Sequence, residues 1–338
     1  MRPGSIIEAS APARVDLAGG TLDLWPLHVL HPGSVTVNLA IDRRAACRVR
    51  QGGERFRIFS SRGPGFEKEA GSAEELLADS RTALVGSLIE ALEIRDFLEV
   101  ELCSEVPFGS GLGGSSALTV ALAGALEGWS PRDLSGVARV ALARDIETRV
   151  LGKPAGVQDY YPALAGGLHR IWFEAGSTRA ERVEVDTEAW ARHLTLFDTG
   201  AAHSSGMNNW EIFRARLEAN RVVAGALETV RQAAAAMAQA SSALDFPAMG
   251  AALRQEWEAR RQLAPVVSSP AIERAVEAAL AAGAWGGKAC GAGGGGCVVF
   301  LSPAERASSV REALARLPAG AVLPVRAENR GLIVKETV

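Results

Sequence analysis

What this chain lacks excludes several classes of protein before any motif is read. Its four cysteines, Cys47, Cys103, Cys290 and Cys297, never fall in Cys-x-x-Cys spacing. Neither a zinc frame nor a disulfide frame is indicated, and buried reduced thiols are expected. Charge of one sign is also missing: 36 Lys and Arg against 39 Asp and Glu give a net charge of −3. That balance offers no electrostatic case for nucleic acid or for an anionic membrane. Lysine is scarce, with Lys68, Lys153, Lys288 and Lys335 as the whole set, so arginine carries most of the positive charge. No long uncharged apolar run and no N-terminal signal pattern occur, which sets the expectation of a cytoplasmic protein without a membrane partner. His28 and His31 stand three apart in a Pro-flanked stretch without a carboxylate, a loop pair rather than a metal site.

Glycine, by contrast, is concentrated. Pro107-Phe108-Gly109-Ser110-Gly111-Leu112-Gly113-Gly114-Ser115-Ser116-Ala117 follows a strand-like alternation over 97–103 and precedes an Ala/Leu-rich helix over 118–129. A glycine-dense turn opening a helix presents unpaired N–H groups at the positive end of the helix dipole, which is an anion site. Gly109, Gly111 and Gly114 satisfy G-x-G-x-x-G. A dinucleotide fold would then need a strand ending in an acid about twenty residues on. Instead Ser130-Pro131 reads as the cap and first turn of a helix over 132–151. A Walker A reading fails because Ser115 stands where the lysine belongs. A phosphate cradle in another fold, with Ser116 holding Mg²⁺, and a plain packing turn both remain.

The 338 residues suit two domains or one large one, with ample core at 48% hydrophobic content. Residues 5–17 read as a strand with Arg14 and Asp16 on one face. It leads to Gly19-Gly20-Thr21-Leu22-Asp23, where Asp23 is either a polyol-binding carboxylate or a turn residue. Strands are expected at 35–49 and 55–60, joined by a Gly52-Gly53 hairpin turn, and a helix at 72–92. Glu147 lies late in the 132–151 helix, at the edge of an inward face with Ile146 and Val150. Asp159 follows between proline-glycine breaks among apolar groups. A carboxylate there needs a cation, Arg14 or Lys153, or a substrate hydroxyl. Stretches 168–173 and 182–185 form a hairpin-like pair, and 194–197 a short strand. Residues 206–264 are mostly helical with a break at Phe246-Pro247. The remainder reads helix, strand, glycine loop, strand, helix, strand, a plaited α/β ending. Its glycine loop, 286–296, leaves the backbone free to approach a ligand.

Three stretches in order, Pro12–Gly20, Gly109–Ala117 and Gly287–Gly296, resemble the motifs of the GHMP kinases, the galactokinase, homoserine, mevalonate and phosphomevalonate kinase family. The likeness spans nearly the whole chain. In detail Glu147–Gly152, Gln158-Asp159, Ala165–Gly167 and Gly286–Lys288 look like the sugar-kinase branch that includes D-glycero-D-manno-heptose 7-phosphate kinases. The resemblance implies an α+β two-domain fold, with an N-terminal domain of ribosomal protein S5 type and a ferredoxin-like C-terminal domain. The division is expected at 1–190 and 191–338.

It also implies that Pro107, Gly109, Ser110, Gly111, Leu112, Gly113, Gly114, Ser115 and Ser116 wrap the ATP phosphates, and that Ser116 and Glu147 hold Mg²⁺. Asp159 is implied as the catalytic aspartate with Arg14 beside it. Gly19, Gly20, Asp23, Thr199, Ser204, Ser205, Lys288, Gly291, Gly293 and Gly294 are implied at the substrate. Two departures stand out. Leu22 removes a hydroxyl near the sugar, and His203 replaces an arginine that would clamp a sugar phosphate.

The expectation is an ATP- and Mg²⁺-dependent kinase acting on a sugar hydroxyl, the anomeric one of a heptose, a heptose 7-phosphate or a related hexose. The rivals are a mevalonate-type kinase or diphosphate decarboxylase, and a nucleotide-binding regulator without catalysis. A homodimer is left open.

Overall fold

A computed structural model describes residues 5–60, 65–132, 134, 136–201 and 205–337. Its first half runs β1 (Ile6–Ala18), α1 (Leu27–Leu30), β2 (Ser34–Gln51), β3 (Phe56–Ser60), β4 (Phe66–Ala70), α2 (Ala73–Leu77), α3 (Ala83–Ala91), β5 (Leu98–Ser104), α4 (Gly114–Leu126), α5 (Gly136–Leu151), α6 (Tyr160–Ala165), β6 (Leu168–Glu174) and β7 (Ser177–Val183). The rest runs α7 (Thr187–His193), β8 (Leu194–Asp198), α8 (Ser205–Leu217), α9 (Arg221–Ser242), α10 (Phe246–Arg260), α11 (Pro270–Ala281), β9 (Gly286–Ala289), β10 (Cys297–Leu301), α12 (Ala307–Ala315), β11 (Ala321–Leu323) and β12 (Ile333–Thr337).

Two mixed layers of sheet and helix result, an α+β architecture. The first sheet has the order β12-β1-β2-β5-β3-β4, with β6 on β2 and β7 on β6. The second has the order β11-β8-β10-β9, every pair antiparallel. Several expectations are corrected by this pairing. Gly52-Gly53 does not close a hairpin: β5 lies between β2 and β3, pairs parallel with β3, and the Gly52 N–H donates to the Phe97 carbonyl at 2.7 Å. The return strand after β6 begins at Ser177, opposite Glu174, rather than at 182. Ser130 does not cap α5, which starts at Gly136; its hydroxyl donates to the Leu92 carbonyl. The stretch 72–92 divides into α2 and α3, with Ser72 capping α2. The last strand, β12, joins the first sheet beside β1, pairing Ile6 with Thr337.

The long strand β1 serves both layers. Ile7, Ala9 and Ala11 join a core with β5 and α3 to α5, whereas Ala13, Val15 and Leu17 join a second core with α9, α10, β8 and β10. The opposite face of that second half carries Arg14 and Asp16, both buried. Helix α4 packs across β1 and β2. Val120, Leu122 and Leu126 are at most 3% exposed, and each contributes roughly 1.5–3 kcal/mol over an exposed side chain. That burial fixes the helix, and the helix aims its N-terminus at Arg14.

Candidate active site

Helix α4 begins at Gly114, four residues before the expected Leu118, so Ser115 and Ser116 fall in its first turn. Its N-cap, Gly113, has φ +69° and no side chain to cap with. The Ala117 N–H donates to the Gly113 carbonyl at 2.9 Å, so the N–H groups of Gly114, Ser115 and Ser116 precede the helical ladder. They point out of the positive end of the dipole. The loop is pinned through its carbonyls. Pro107 accepts from the Ser110 N–H at 3.2 Å, Leu112 from the Arg14 N–H at 3.0 Å, and Ser110 from the Cys297 N–H at 2.8 Å. Leu112 is itself fully buried, so its side chain belongs to the core.

Asp159 stands at the mouth of this turn. It precedes α6 without using its carboxylate as a cap. Instead Oδ1 accepts from Arg14 Nε at 2.8 Å and pairs with Nη2 at 2.7 Å. Of the two cations weighed for Asp159, Arg14 is the one bonded to it. Burial opposes the Arg14 charge, but Asp159 and Asp16 outweigh it and hold the guanidinium charged. A Cβ at Gly113 would lie 3.0 Å from Asp159 Oδ2, so only glycine lets loop and acid approach so closely. Ser116 Oγ donates to Glu147 Oε2 at 2.8 Å and reaches Asp159 Oδ2 at 3.4 Å. The Tyr160 hydroxyl also donates to Glu147 Oε2. Glu147 is buried on α5 with Val140, Ala143 and Ile146, whereas Val150, expected to face inward with it, is 37% exposed. Burial raises the Glu147 carboxyl above its ordinary range, and the neighbouring Asp159 charge raises it further.

The first motif lies alongside. Asp23 is 6% exposed, and its Oδ2 accepts from the Gln158 N–H at 3.2 Å. Burial first, and then the charge of Asp159, push Asp23 up to about 6. Gly19 and Gly20 are buried in the turn before it. Two carboxylates, one paired with Arg14 and one raised by its neighbour's charge, thus lie close together.

The second glycine loop divides in two. A Cβ at Gly291 would sit 3.1 Å from the Gly111 carbonyl oxygen, so this glycine abuts the first loop. Gly293 and Gly294 turn the other way: the Gly294 N–H donates to the Val267 carbonyl at 2.7 Å, and a Cβ at Gly293 would strike that same oxygen. Lys288, expected at the substrate, lies in β9 with no exposed surface, paired with Asp16 at 3.0 Å and Glu256 at 2.9 Å. Thr199 is buried, and its hydroxyl donates to the Gly296 carbonyl at 2.8 Å, tying β8 to the second loop. Its hydroxyl is therefore engaged by backbone. Ser204 and His203 lie outside the described residues, as does the side chain of Ser205.

Sequence reading missed Tyr160, Glu256, Arg260 and Asn209. Tyr160 adjoins Asp159, and Glu256 and Arg260 stand at the i,i+4 spacing of a helical ion pair. Those were the only signals. Among the described residues no three His, Cys, Asp or Glu group as a metal site. The oxygen donors that do converge are a hydroxyl and two carboxylates, Ser116, Glu147 and Asp159. A surface cavity of about 730 Å³ between α9 and α10 includes none of these residues.

A helix start whose first N–H groups precede its ladder, set against two aspartates and a buried glutamate, is an arrangement that can hold an anion beside acids. Comparison with known proteins agrees: the GHMP kinases N terminal domain matches residues 82–167 and the GHMP kinases C terminal model matches residues 233–319. The chain belongs to the GHMP kinase family and is a kinase of that family. It is 28% identical over 306 residues to a D-glycero-alpha-D-manno-heptose 7-phosphate kinase of Campylobacter jejuni subsp. jejuni serotype O:2, covering 87% of this chain and 89% of that protein. A mevalonate kinase of Thermococcus sibiricus is 26% identical over 355 residues, covering 98% of each. A solved D-glycero-D-manno-heptose 1-phosphate kinase from Bacteriodes thetaiotaomicron superposes with TM-score 0.78 at 23% identity, over 98% of this chain and 99% of the other. Lactococcus lactis galactokinase complexed with galactose gives TM-score 0.78 at 16% identity, over 97% and 95%. At such identities the structural likeness speaks for the fold.

Proposed function

We propose that the protein is an ATP- and Mg²⁺-dependent kinase that phosphorylates a sugar hydroxyl, the anomeric one of a heptose, a heptose 7-phosphate or a related hexose. The carrying observation is the Arg14–Asp159 pair at the mouth of the Gly109–Gly113 turn, within reach of Ser116. In phosphoryl transfer charge spreads over the γ-phosphoryl oxygens, so the protein must chiefly position and neutralise. The first-turn N–H groups of α4 serve the phosphates. Arg14 fixes Asp159 through Oδ1, and Oδ2, turned to the turn, accepts the acceptor's proton. Asp23 receives hydrogen bonds from sugar hydroxyls.

Ser116 and Glu147 suit Mg²⁺, which takes one or two carboxylates and completes its shell with phosphate oxygens. When bound, that ion supplies charge neutralisation to the transferring group. Glu147, buried without a cation and raised in pKa, is the kind of carboxylate such an ion satisfies.

The two-domain reading is kept with a boundary near 190. The two matched family models fall on either side of it. The second sheet supports a ferredoxin-like assignment: β8, helices, β9, β10, α12 and β11 in sequence, with spatial order fourth, first, third, second. An S5-type first domain is proposed on the family likeness. The terminal strand β12 belongs with the first sheet.

A hydroxy-acid acceptor is the second reading, favoured by the mevalonate kinase likeness over 98% of the chain. One experiment separates them: a coupled ADP-release screen over free and phosphorylated heptoses and hexoses plus mevalonate, with product position read by ³¹P NMR. Release with mevalonate alone would overturn the sugar reading.

A further inference from the structure

The turn at residues 19–21 is gripped from behind by buried charges. Glu256 and Arg260 on α10 and Lys288 on β9 are at most 1% exposed, as is Asp16 on β1. Arg260 pairs with Glu256 at 2.7 Å, and Lys288 bridges Glu256 and Asp16. Burial opposes the Asp16 charge, but Lys288, Arg260 and Arg14 outweigh it and hold that carboxyl below its usual range. Four charged side chains are thus paired with one another out of solvent. Stability alone does not explain such a cluster, because apolar residues of similar volume often serve a core as well or better.

Among the described residues, the hydrogen bonds the cluster makes beyond itself converge on one turn. The Gly19 N–H donates to Glu256 Oε2 at 3.0 Å, Arg260 Nη2 donates to the Gly20 carbonyl at 2.6 Å, and Arg260 Nη1 donates to Thr21 Oγ1 at 3.2 Å. Thr21 has φ +78°, a left-handed conformation that a β-branched residue adopts only under restraint. Asn209 on α8 supplies the other restraint, accepting from Thr21 Oγ1 at 3.1 Å. Two residues further on stands Asp23.

We propose that Glu256 and Arg260 are positioning residues for the acceptor: through Gly19, Gly20 and Thr21 they fix where the Asp23 carboxylate stands. This rests on the kinase reading above, with Asp23 at the acceptor. The bonds cross from the helix-rich second half of the chain to the first motif, so acceptor binding depends on how α10 is seated.

The test combines hydrogen exchange of the segment 17–24 with steady-state kinetics on E256Q, R260K, R260M and N209A. Loss of a hydrogen bond to a charged group predicts about tenfold weaker acceptor KM in E256Q and R260M, with KM for ATP held within about twofold. Exchange in 17–24 quickens in the same variants. R260K keeps the charge against Glu256 but not the fork that reaches both Gly20 and Thr21, and falls between wild type and R260M. N209A, altering a half-buried residue outside the ion cluster, carries the test should the cluster variants fail to fold. Its expected effect is smaller and in the same direction. Unchanged exchange over 17–24 in folded variants, or the two KM values rising together, overturns the proposal. A wild-type protein that turns over no sugar defeats the sugar-acceptor reading instead, and the exchange result still decides whether the turn is held.

Discussion

At the scale of single residues, two neighbouring aspartates are set apart by what pairs with them. Asp159 has a guanidinium on one oxygen. Replacing it by asparagine removes the proton acceptor and is expected to lower kcat by roughly 10²–10⁴. Turnover close to wild type in a coupled ADP assay would remove the base role. Asp23 accepts from the Gln158 N–H and is pushed up to about 6 by burial. Its folded value stands above an aspartate's ordinary 3.8, so between these values the native chain holds a proton that the unfolded chain has released. The stability this group contributes is present below that window and is lost as pH rises through 6. Asp23→Asn should therefore raise the melting temperature at pH 8 and leave it nearly unchanged at pH 4, while weakening acceptor KM. Calorimetry at the two pH values checks the sign, and equal shifts at both would refute it.

At the scale of elements, the junction between the Gly109–Gly113 turn and α4 is the sensitive part. Gly113→Ala places a methyl at φ +69° and 3.0 Å from Asp159 Oδ2. The left-handed strain is about 1–2 kcal/mol. The displaced acid should cost about tenfold to a hundredfold in kcat. An unaltered kcat in the purified variant would show that loop and acid do not bear on each other.

How far such features could be read beforehand depends on their range. The glycine turn, the helix behind it and the shared face of Arg14 and Asp16 are local patterns, and each is present, the helix starting four residues earlier than its composition suggested. Ser116, Glu147 and Asp159 came from family likeness and do converge. What failed was non-local. Nothing around Gly52-Gly53 reveals that β5 will insert beside β2, since strand alternation does not name a partner. Lys288 is implied at the substrate by family likeness, yet the glycines beside it permit the tight packing that buries β9. Glu256 and Arg260 resemble any surface i,i+4 pair until the turn that they hold is in view.

At the scale of the molecule, β12 closes the edge of the first sheet over β1, and its own outer positions carry Lys335 and Glu336. Removing residues 333–338 bares the main-chain donors and acceptors of β1, whose side chains are largely buried. The truncated chain should melt at lower temperature and self-associate with rising concentration, because an uncovered edge recruits another strand. Light scattering across a dilution series checks this, and a monodisperse truncation of wild-type stability would contradict it.

That pairing of Ile6 with Thr337 also makes the two halves nested rather than consecutive. Hybrid genes that exchange everything beyond residue 190 would give β1 a stranger for a neighbour. Compatible chimeras must let the final strand travel with the first, so the segment between them is the natural unit of exchange.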